Sequence, residues 1–277
     1  MSIRVKIWGC RGSIACPAPT HLKYGGNTTC LEVDAGDQKI LLDCGTGIRN
    51  LGQQLIKSDI EHCYILMTHT HWDHINGFPF FAPAFDPNRK IDIMAGHMAD
   101  KGGIRNVLEA QMENPMFPIP LDAMQAQLSF SDFRAGEDLD IAKNKSDMKV
   151  RTALLNHPND ATGYRIEYKG KSMCLITDTE HIPGKPDENI LDLIEGADLV
   201  IYDATYTEEE FPSRVGWGHS TWNEGVKLCQ MANAKRLGIF HHDPEHGDIF
   251  MDNLAAEAKK AWDGTFVVQE NMDFLVE

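Results

Sequence analysis

A chain of 277 residues is long enough to bury a full α/β core, and its 26 Lys and Arg against 41 Asp and Glu give a formal charge of −15. That balance works against non-specific attraction to a nucleic-acid backbone or an anionic membrane, and no run of eighteen apolar residues offers a membrane-spanning helix. The seven cysteines are odd in number and include no CxxC pair, which argues against a disulfide framework.

In chain order, RVKIWG (4–9) reads as a strand, and CLEVDAGDQKILLDCG (30–45) as two apolar strands around the turn AGDQ. GIRNLGQQLIKSD (47–59) places Ile48, Leu51, Leu55 and Ile56 at helical spacing, and the buried-strand run CYILM (63–67) leads into THTHWDH (68–74). KIDIMAG (90–96) is a further strand and GIRNVLEAQM (103–112) a further helix. Residues 98–147 carry mixed signals and a proline-rich NPMFPIPL, which suggests a lid or covering insertion. MKVRTALLNHP (148–158) and the hairpin GYRIEYKGKSMCLITDTE (163–180) follow, then a helix at ENILDLIEGA and a strand at DLVIYDATY. A helix at TWNEGVKLCQMANA, a strand at RLGIFHHDP, a helix at MDNLAAEAKKAW and one last strand, TFVVQENMDFLVE, complete the chain. No Pro/Ser/Gly-rich spacer interrupts this series, so a single domain over residues 1–277 is expected, with two sheets face to face and helices outside. The N-terminal MSIRVKIWGC has no apolar leader, and the expected location is the cytoplasm.

Several strand-like runs end in the same kind of residue. CYILM leads to His69, His71, Asp73 and His74; TALLN to His157; SMCLIT to Asp178; LVIY to Asp203; RLGIF to His241 and His242. A lone histidine at a strand end is ordinarily a solvated or hydrogen-bonded residue, but strand ends at one sheet edge lie close together, and this set suits metal ligation. Two histidines at i and i+2 on an extended segment project to one side and grip one ion, and the following turn aims Asp73 and His74 at a second. The expected ligands are His69, His71 and His157 on one ion, Asp73, His74 and His241 on the other, and Asp178 bridging both. This donor set suits two divalent ions, Zn²⁺ first, with Mn²⁺ or Fe²⁺ as alternatives. Alternation sends His241 and His242 to opposite faces, so one of the two is the ligand. The loops GCRGSIACPAP and YGGNTTC are weak candidates to approach the site through backbone amides, Arg11 or Asn27; Cys10 and Cys16 are a minor candidate for a structural metal. Phe78, Phe80, Phe81 and Phe85 read as core or covering residues.

With His69, His71, Asp73 and His74 as its HxHxDH motif, the chain resembles the metallo-β-lactamase fold superfamily, and LLDCGTG, NHP, ITDTE and IFHHDP stand in the expected order. The resemblance implies an α/β fold of the αββα sandwich type with the metals at one edge. It also favours His241 over His242, leaving His242 and His246 for the pocket rim, and makes Asp43 of LLDCG a residue that orients a ligand histidine. NHPNDATGYRIEYKGKSMCLITDTE and YDATYTEEEFPSRVGWGHST resemble the phosphodiesterase branch, which includes ribonuclease Z, phosphoribosyl cyclic phosphate phosphodiesterases and cyclic-nucleotide enzymes. The implied catalytic residues are Asp73, His219 of HST, and Asp203 of DAT, with a metal-bridging hydroxide as nucleophile. Ribonuclease Z holds tRNA with a long glycine-rich arm, and no such insertion is visible here. The expected substrate is therefore a small phosphodiester, a 3′,5′-cyclic nucleotide first and a phosphoribosyl cyclic phosphate next, with no stable nucleic-acid partner, no membrane, and a homodimer in keeping with the relatives. The alternatives are a hydrolase of a lactone, thioester or β-lactam, a tRNA 3′-end endonuclease, and a non-catalytic nucleotide-binding protein.

Overall fold

The computed structural model describes residues 2–141 and 147–277. In its first half β1 (Ile3–Gly9), β2 (Cys30–Ala35), β3 (Gln38–Leu42), α1 (Gly47–Leu55), β4 (His62–Met67), α2 (Trp72–Ile75), β5 (Lys90–Ala95), α3 (Ile104–Gln111) and β6 (Gln127–Asp132) follow one another. The second half contains β7 (Met148–Leu155), β8 (Ala161–Tyr168), β9 (Lys171–Ile176), α4 (Glu188–Ile194), β10 (Leu199–Asp203), α5 (Trp222–Met231), β11 (Leu237–Phe240), α6 (Asp248–Ala261), β12 (Thr265–Val267) and β13 (Asp273–Val276).

These strands make a seven-stranded sheet in the order β13-β1-β2-β3-β4-β5-β6 and a six-stranded sheet in the order β12-β11-β10-β9-β8-β7. Each sheet starts as an antiparallel meander and becomes parallel: β3, β4, β5 and β6 run together in the first, and β9, β10, β11 and β12 in the second. Because β7 is antiparallel to β8 and β8 to β9, β7 also runs with β9. Carboxyl ends of most strands therefore meet at one edge.

Period-2 alternation sorts the apolar residues into layers. Ile3, Val5, Ile7, Val33, Ile40 and Leu66 of the first sheet pack against Val150, Ile166, Met173, Leu175 and Ile201 of the second. The opposite faces are also buried: Leu41, Ile65 and Ile93 lie under Ile48, Leu51 and Leu55 of α1 and Ile104 and Leu108 of α3. Cys174, Ile176, Val200, Tyr202 and Ile239 lie under α4, α5 and α6. Sheets covered on both faces explain why the strands read as unbroken apolar runs, and the result is the αββα sandwich.

Two segments differ from their expected form. Within 98–147, α3 packs on the outer face and β6 pairs in parallel with β5, so part of the expected covering insertion extends the first sheet; residues 142–146 lie outside the described residues. β6 is an edge strand with exposed Gln127, Ser129, Ser131 and Asp132, hence its weak pattern. The expected last strand is two, since Asn271 takes a positive φ of 68° and the chain turns there from β12 of one sheet to β13 of the other. Among the described residues no helix is long and apolar enough to cross a membrane.

Candidate metal centre

β4 ends at Met67, and the next residues leave the sheet as a short loop before α2. That loop places His69 and His71 beside His157, which follows β7: the His71–His157 ring centroids lie 4.8 Å apart and His71 Nδ1 is 3.0 Å from His157 Nε2. His69 stands 4.5 Å from His71 and 4.7 Å from His157, centroid to centroid. Asp73 and His74, in the first turn of α2, face Asp178 beyond β9 and His241 beyond β11. His74 Nε2 lies 3.3 Å from Asp73 Oδ2 and 3.4 Å from Asp178 Oδ2, and His241 Nε2 lies 3.2 Å from Asp73 Oδ2 and 3.3 Å from Asp178 Oδ1. The Asp178 carboxylate sits between the two groups, since its Oδ2 is also 3.5 Å from His69 Nε2 and 3.9 Å from His157 Nε2.

The outer ring nitrogens are tied down, which sets what faces inward. His74 Nδ1–H donates to Asp43 Oδ2 at 2.8 Å, and His157 Nδ1–H donates to the Gly218 carbonyl at 2.7 Å. His69 Nδ1–H donates to the Thr68 hydroxyl at 3.1 Å, which itself donates to Asp43 Oδ2 at 2.7 Å. His241 repeats this: its Nδ1–H donates to the Thr205 hydroxyl at 3.0 Å, which donates to Asp203 Oδ1 at 2.8 Å. Each of these four histidines thus presents Nε2, with a lone pair in the neutral ring, to the interior.

Two observations test whether a cation fits. His69 Nε2 and His74 Nε2 are buried without any hydrogen-bond partner, a costly state for a polar atom unless something else binds it. The charges also call for a cation. Burial alone would lower His74, yet Asp73, Asp178 and Asp43 hold it well above the ordinary imidazole value, while burial drives its neighbour His69 well below. Burial likewise raises Asp73 and Asp178, but the surrounding imidazoles prevail and keep both carboxyls well below their usual range. Buried carboxylates that draw positive charge onto the imidazoles around them, where a divalent ion would take the place of a proton, fit cations of the Zn²⁺, Mn²⁺ or Fe²⁺ kind. His69, His71 and His157 form one group able to hold an ion, and Asp73, His74, Asp178 and His241 another.

A third grouping joins Asp178 and His241 to Asp203 and His219. Asp203 already accepts from Thr179 N, Thr205 N, the Thr205 hydroxyl and His219 Nδ1, at 3.0, 3.1, 2.8 and 3.0 Å, so its oxygens are occupied. Its arrangement suits holding the His219 ring rather than a third ion. Local sequence explains His219's placement: Thr221 caps α5 by accepting from Glu224 N, and the Ser220 hydroxyl is fixed by Tyr202 and His181, so the HST turn is anchored on both flanks.

Four sequence readings need correction. His242 is not at the rim; it is buried, its Nε2–H donates to Val268 O, and burial holds it down at about 3. His246 is also buried, bonded to Glu210 and stacked on Phe250. Arg11 points away from the site and is consumed by the carbonyls of Gly25, Asp243 and His246, and Asn27 bonds Glu270. What the glycine-rich loop does bring is a backbone amide, Ser13 N donating to Asp73 Oδ2 at 2.8 Å, and Gly12, where a Cβ would come within 2.5 Å of the His241 ring. Cys10 and Cys16 belong to none of the metal-compatible groups among the described residues. Of the phenylalanines, Phe78 and Phe81 are core and Phe80 is exposed. Thr68, Thr205, Gly12 and Gly218 escaped the sequence reading; the threonines of THTH and DAT were the only signal available.

A family model described as the beta-lactamase superfamily domain matches residues 38–242. The chain belongs to that superfamily. It is 25% identical to the ribonuclease Z of Haloarcula marismortui, over 98% of this chain and 96% of the relative. Among solved structures, the metallo-beta-lactamase fold protein YhfI from Bacillus subtilis superposes with a TM-score of 0.73 at 17% identity, covering 99% of each chain. Human tRNase Z, short form, does so with a TM-score of 0.67 at 19% identity, again covering 99% of each. The chain is accordingly a metal-dependent hydrolase of this fold, a superfamily that carries divalent ions. The expectation of a small-molecule substrate with no nucleic-acid partner is overturned by the relatives named ribonuclease Z, which this chain matches over nearly its whole length. Its premises were the missing glycine-rich arm and the net charge; a charge averaged over the entire surface says little about the mouth of one site.

Proposed function

We propose that this chain cleaves a phosphodiester bond of RNA with the help of two divalent ions, Zn²⁺ first and Mn²⁺ or Fe²⁺ next. His69, His71 and His157 would hold one ion and Asp73, His74 and His241 the other, with Asp178 shared. Such ions supply Lewis acidity, neutralise phosphoryl charge and make water a nucleophile near neutral pH. The chain's own residues do the rest. Asp43, Thr68 and Thr205 fix the ring orientations of the histidines; Asp73, steadied by Ser13 N, gives the centre a carboxylate that stays ionised. His219 donates a proton to the departing oxygen, and Asp203 holds its ring and favours its charged form.

The observation that carries the reading is the His219–Asp203 pair, 3.0 Å apart, with His219 Nδ1 3.9 Å from Asp178. Burial lowers His219, but Asp203, Asp178 and Asp73 together raise it to about 9, so it holds its proton at neutral pH. A carbonyl substrate would leave this pair without a task, and the ribonuclease Z relatives support RNA over other diesters. The test is turnover by the metal-loaded protein on a tRNA precursor with a 3′ trailer, single-stranded oligoribonucleotides, 3′,5′- and 2′,3′-cyclic nucleotides, a lactone and a thioester. Cleavage of the RNAs is expected. Turnover of cyclic nucleotides alone, or of the carbonyl compounds alone, would overturn the RNA reading.

A further inference from the structure

Two tryptophans lie on the surface at a point where the chain has reason to keep them wet. Trp72 is 80% exposed and Trp217 58%. Each adjoins in sequence a residue that meets one of the two ring nitrogens of His157. Trp72 follows His71, whose ring touches His157 Nε2, and Trp217 precedes Gly218, whose carbonyl accepts from His157 Nδ1. The segment that presents Trp217 is built, because the Glu180 carboxylate accepts from Gly216 N and Gly218 N, both at 2.8 Å. Arg214 lays its guanidinium 4.7 Å from the Trp217 ring centroid. Among the described residues Arg214 makes no ion pair, so its charge is free at the mouth of an acidic protein.

We propose that Trp72 and Trp217, with Arg214 stacked on the latter, form a base-stacking clamp for unpaired nucleotides on the two sides of the scissile phosphate. The clamp rests on the RNA reading above and names how that substrate is held. Every base offers a π-face, so two indoles grip a strand with little sequence preference, and a guanidinium on one of them adds a phosphate contact. It also explains how a chain of charge −15 recruits a polyanion: the attraction is local, in stacking and one uncompensated cation. A second copy of the chain is the other occupant such apolar surface suits, but seated on both indoles it would cover the approach to His71 and His157.

The test compares kcat/KM of the metal-loaded full chain on a single-stranded oligoribonucleotide with that on bis(4-nitrophenyl) phosphate. Trp72→Ala and Trp217→Ala should each lower the RNA-to-chromogen ratio about tenfold, mostly through KM, with Trp→Phe variants restoring most of it. Arg214→Ala should lower the ratio and flatten its salt dependence. Leu275→Ala, at an exposed position on β13 paired with Arg4 near the start of β1, should leave the ratio unchanged. RNA cleaved equally well by both Trp→Ala variants would overturn the clamp alone, and if Trp72→Ala then turned a dimer into a monomer the surface would belong to a second copy. Wild-type protein that cleaves no RNA would overturn the RNA reading and the clamp together.

Discussion

On Asp203 four donors converge, two backbone amides, the Thr205 hydroxyl and His219 Nδ1, and that saturation makes it a holder of rings rather than an ion ligand. Removing the held group should therefore cost chemistry and not metal. His219→Ala is expected to lower kcat for RNA about 10²–10⁴-fold with the bound-metal count unchanged; loss of an ion in that variant would make His219 a ligand instead. The sign of the pH dependence follows from the raised imidazole: a proton donor near 9 is charged at neutral pH and empties as pH rises, so kcat/KM should fall on the alkaline side. Cations beside Asp178 move that limb downward from about 9, and in His219→Ala the limb should vanish. Asp43→Ala removes the acceptor of His74 Nδ1–H and should weaken metal affinity about 10–100-fold, read by competition with a chromogenic chelator. The gathering of His69, His71, Asp73, His74, His157, Asp178 and His241 at one place was legible because each follows an apolar strand. Thr68 and Thr205 were not, since a hydroxyl that relays a ring N–H to a carboxylate leaves no spacing signature.

The elements matter through what their ends present. β3, β4, β7, β9, β10 and β11 all finish at the same edge, so six sequence-distant segments deliver one cluster, and the apolar runs that made them readable are the same runs that anchor the ligands. Approach of the β1–β2 loop was only weakly readable from its glycines: Ser13 N reaches Asp73, and no signal marked Gly12, where a Cβ would meet the His241 ring. Gly12→Ala should displace that ring and lower occupancy of the ion held by Asp73, His74 and His241, measured as metal per chain, while the fold survives. At the start of α5 the Thr221 cap is worth about 1 kcal/mol by the usual cost of losing such a residue, so Thr221→Ala should lower the urea midpoint accordingly and, by loosening the HST turn, reduce kcat as well. β6 and the split between β12 and β13 escaped because an exposed edge strand and a three-residue strand carry too few apolar positions to show a period.

For the molecule as a whole, net charge and the missing glycine-rich arm together misled about the substrate. A charge of −15 describes average repulsion, and a buried cluster that binds cations reverses it locally. The same cluster links stability to metal and to pH. Ions that bind only the folded chain stabilise it by about 2.7 kcal/mol per site at a hundredfold excess over Kd, so chelation should lower Tm measurably. Buried neutral His242, held down at about 3, takes up its proton only on unfolding across the window from about 6.5 to 3. The unfolded chain then binds more protons, so stability falls as pH drops through that window, and His242→Gln should flatten that slope in chemical denaturation of the metal-loaded protein. The most direct measurement of the central claim is metal content per chain, by elemental analysis after dialysis against ZnCl₂ or MnCl₂, with RNA cleavage assayed on the same samples for wild type and Asp178→Ala. Two ions per chain with active wild type, and fewer ions with cleavage lost in Asp178→Ala, is the predicted result. RNA cleavage that persists in chelator-treated protein with no ion bound would contradict it.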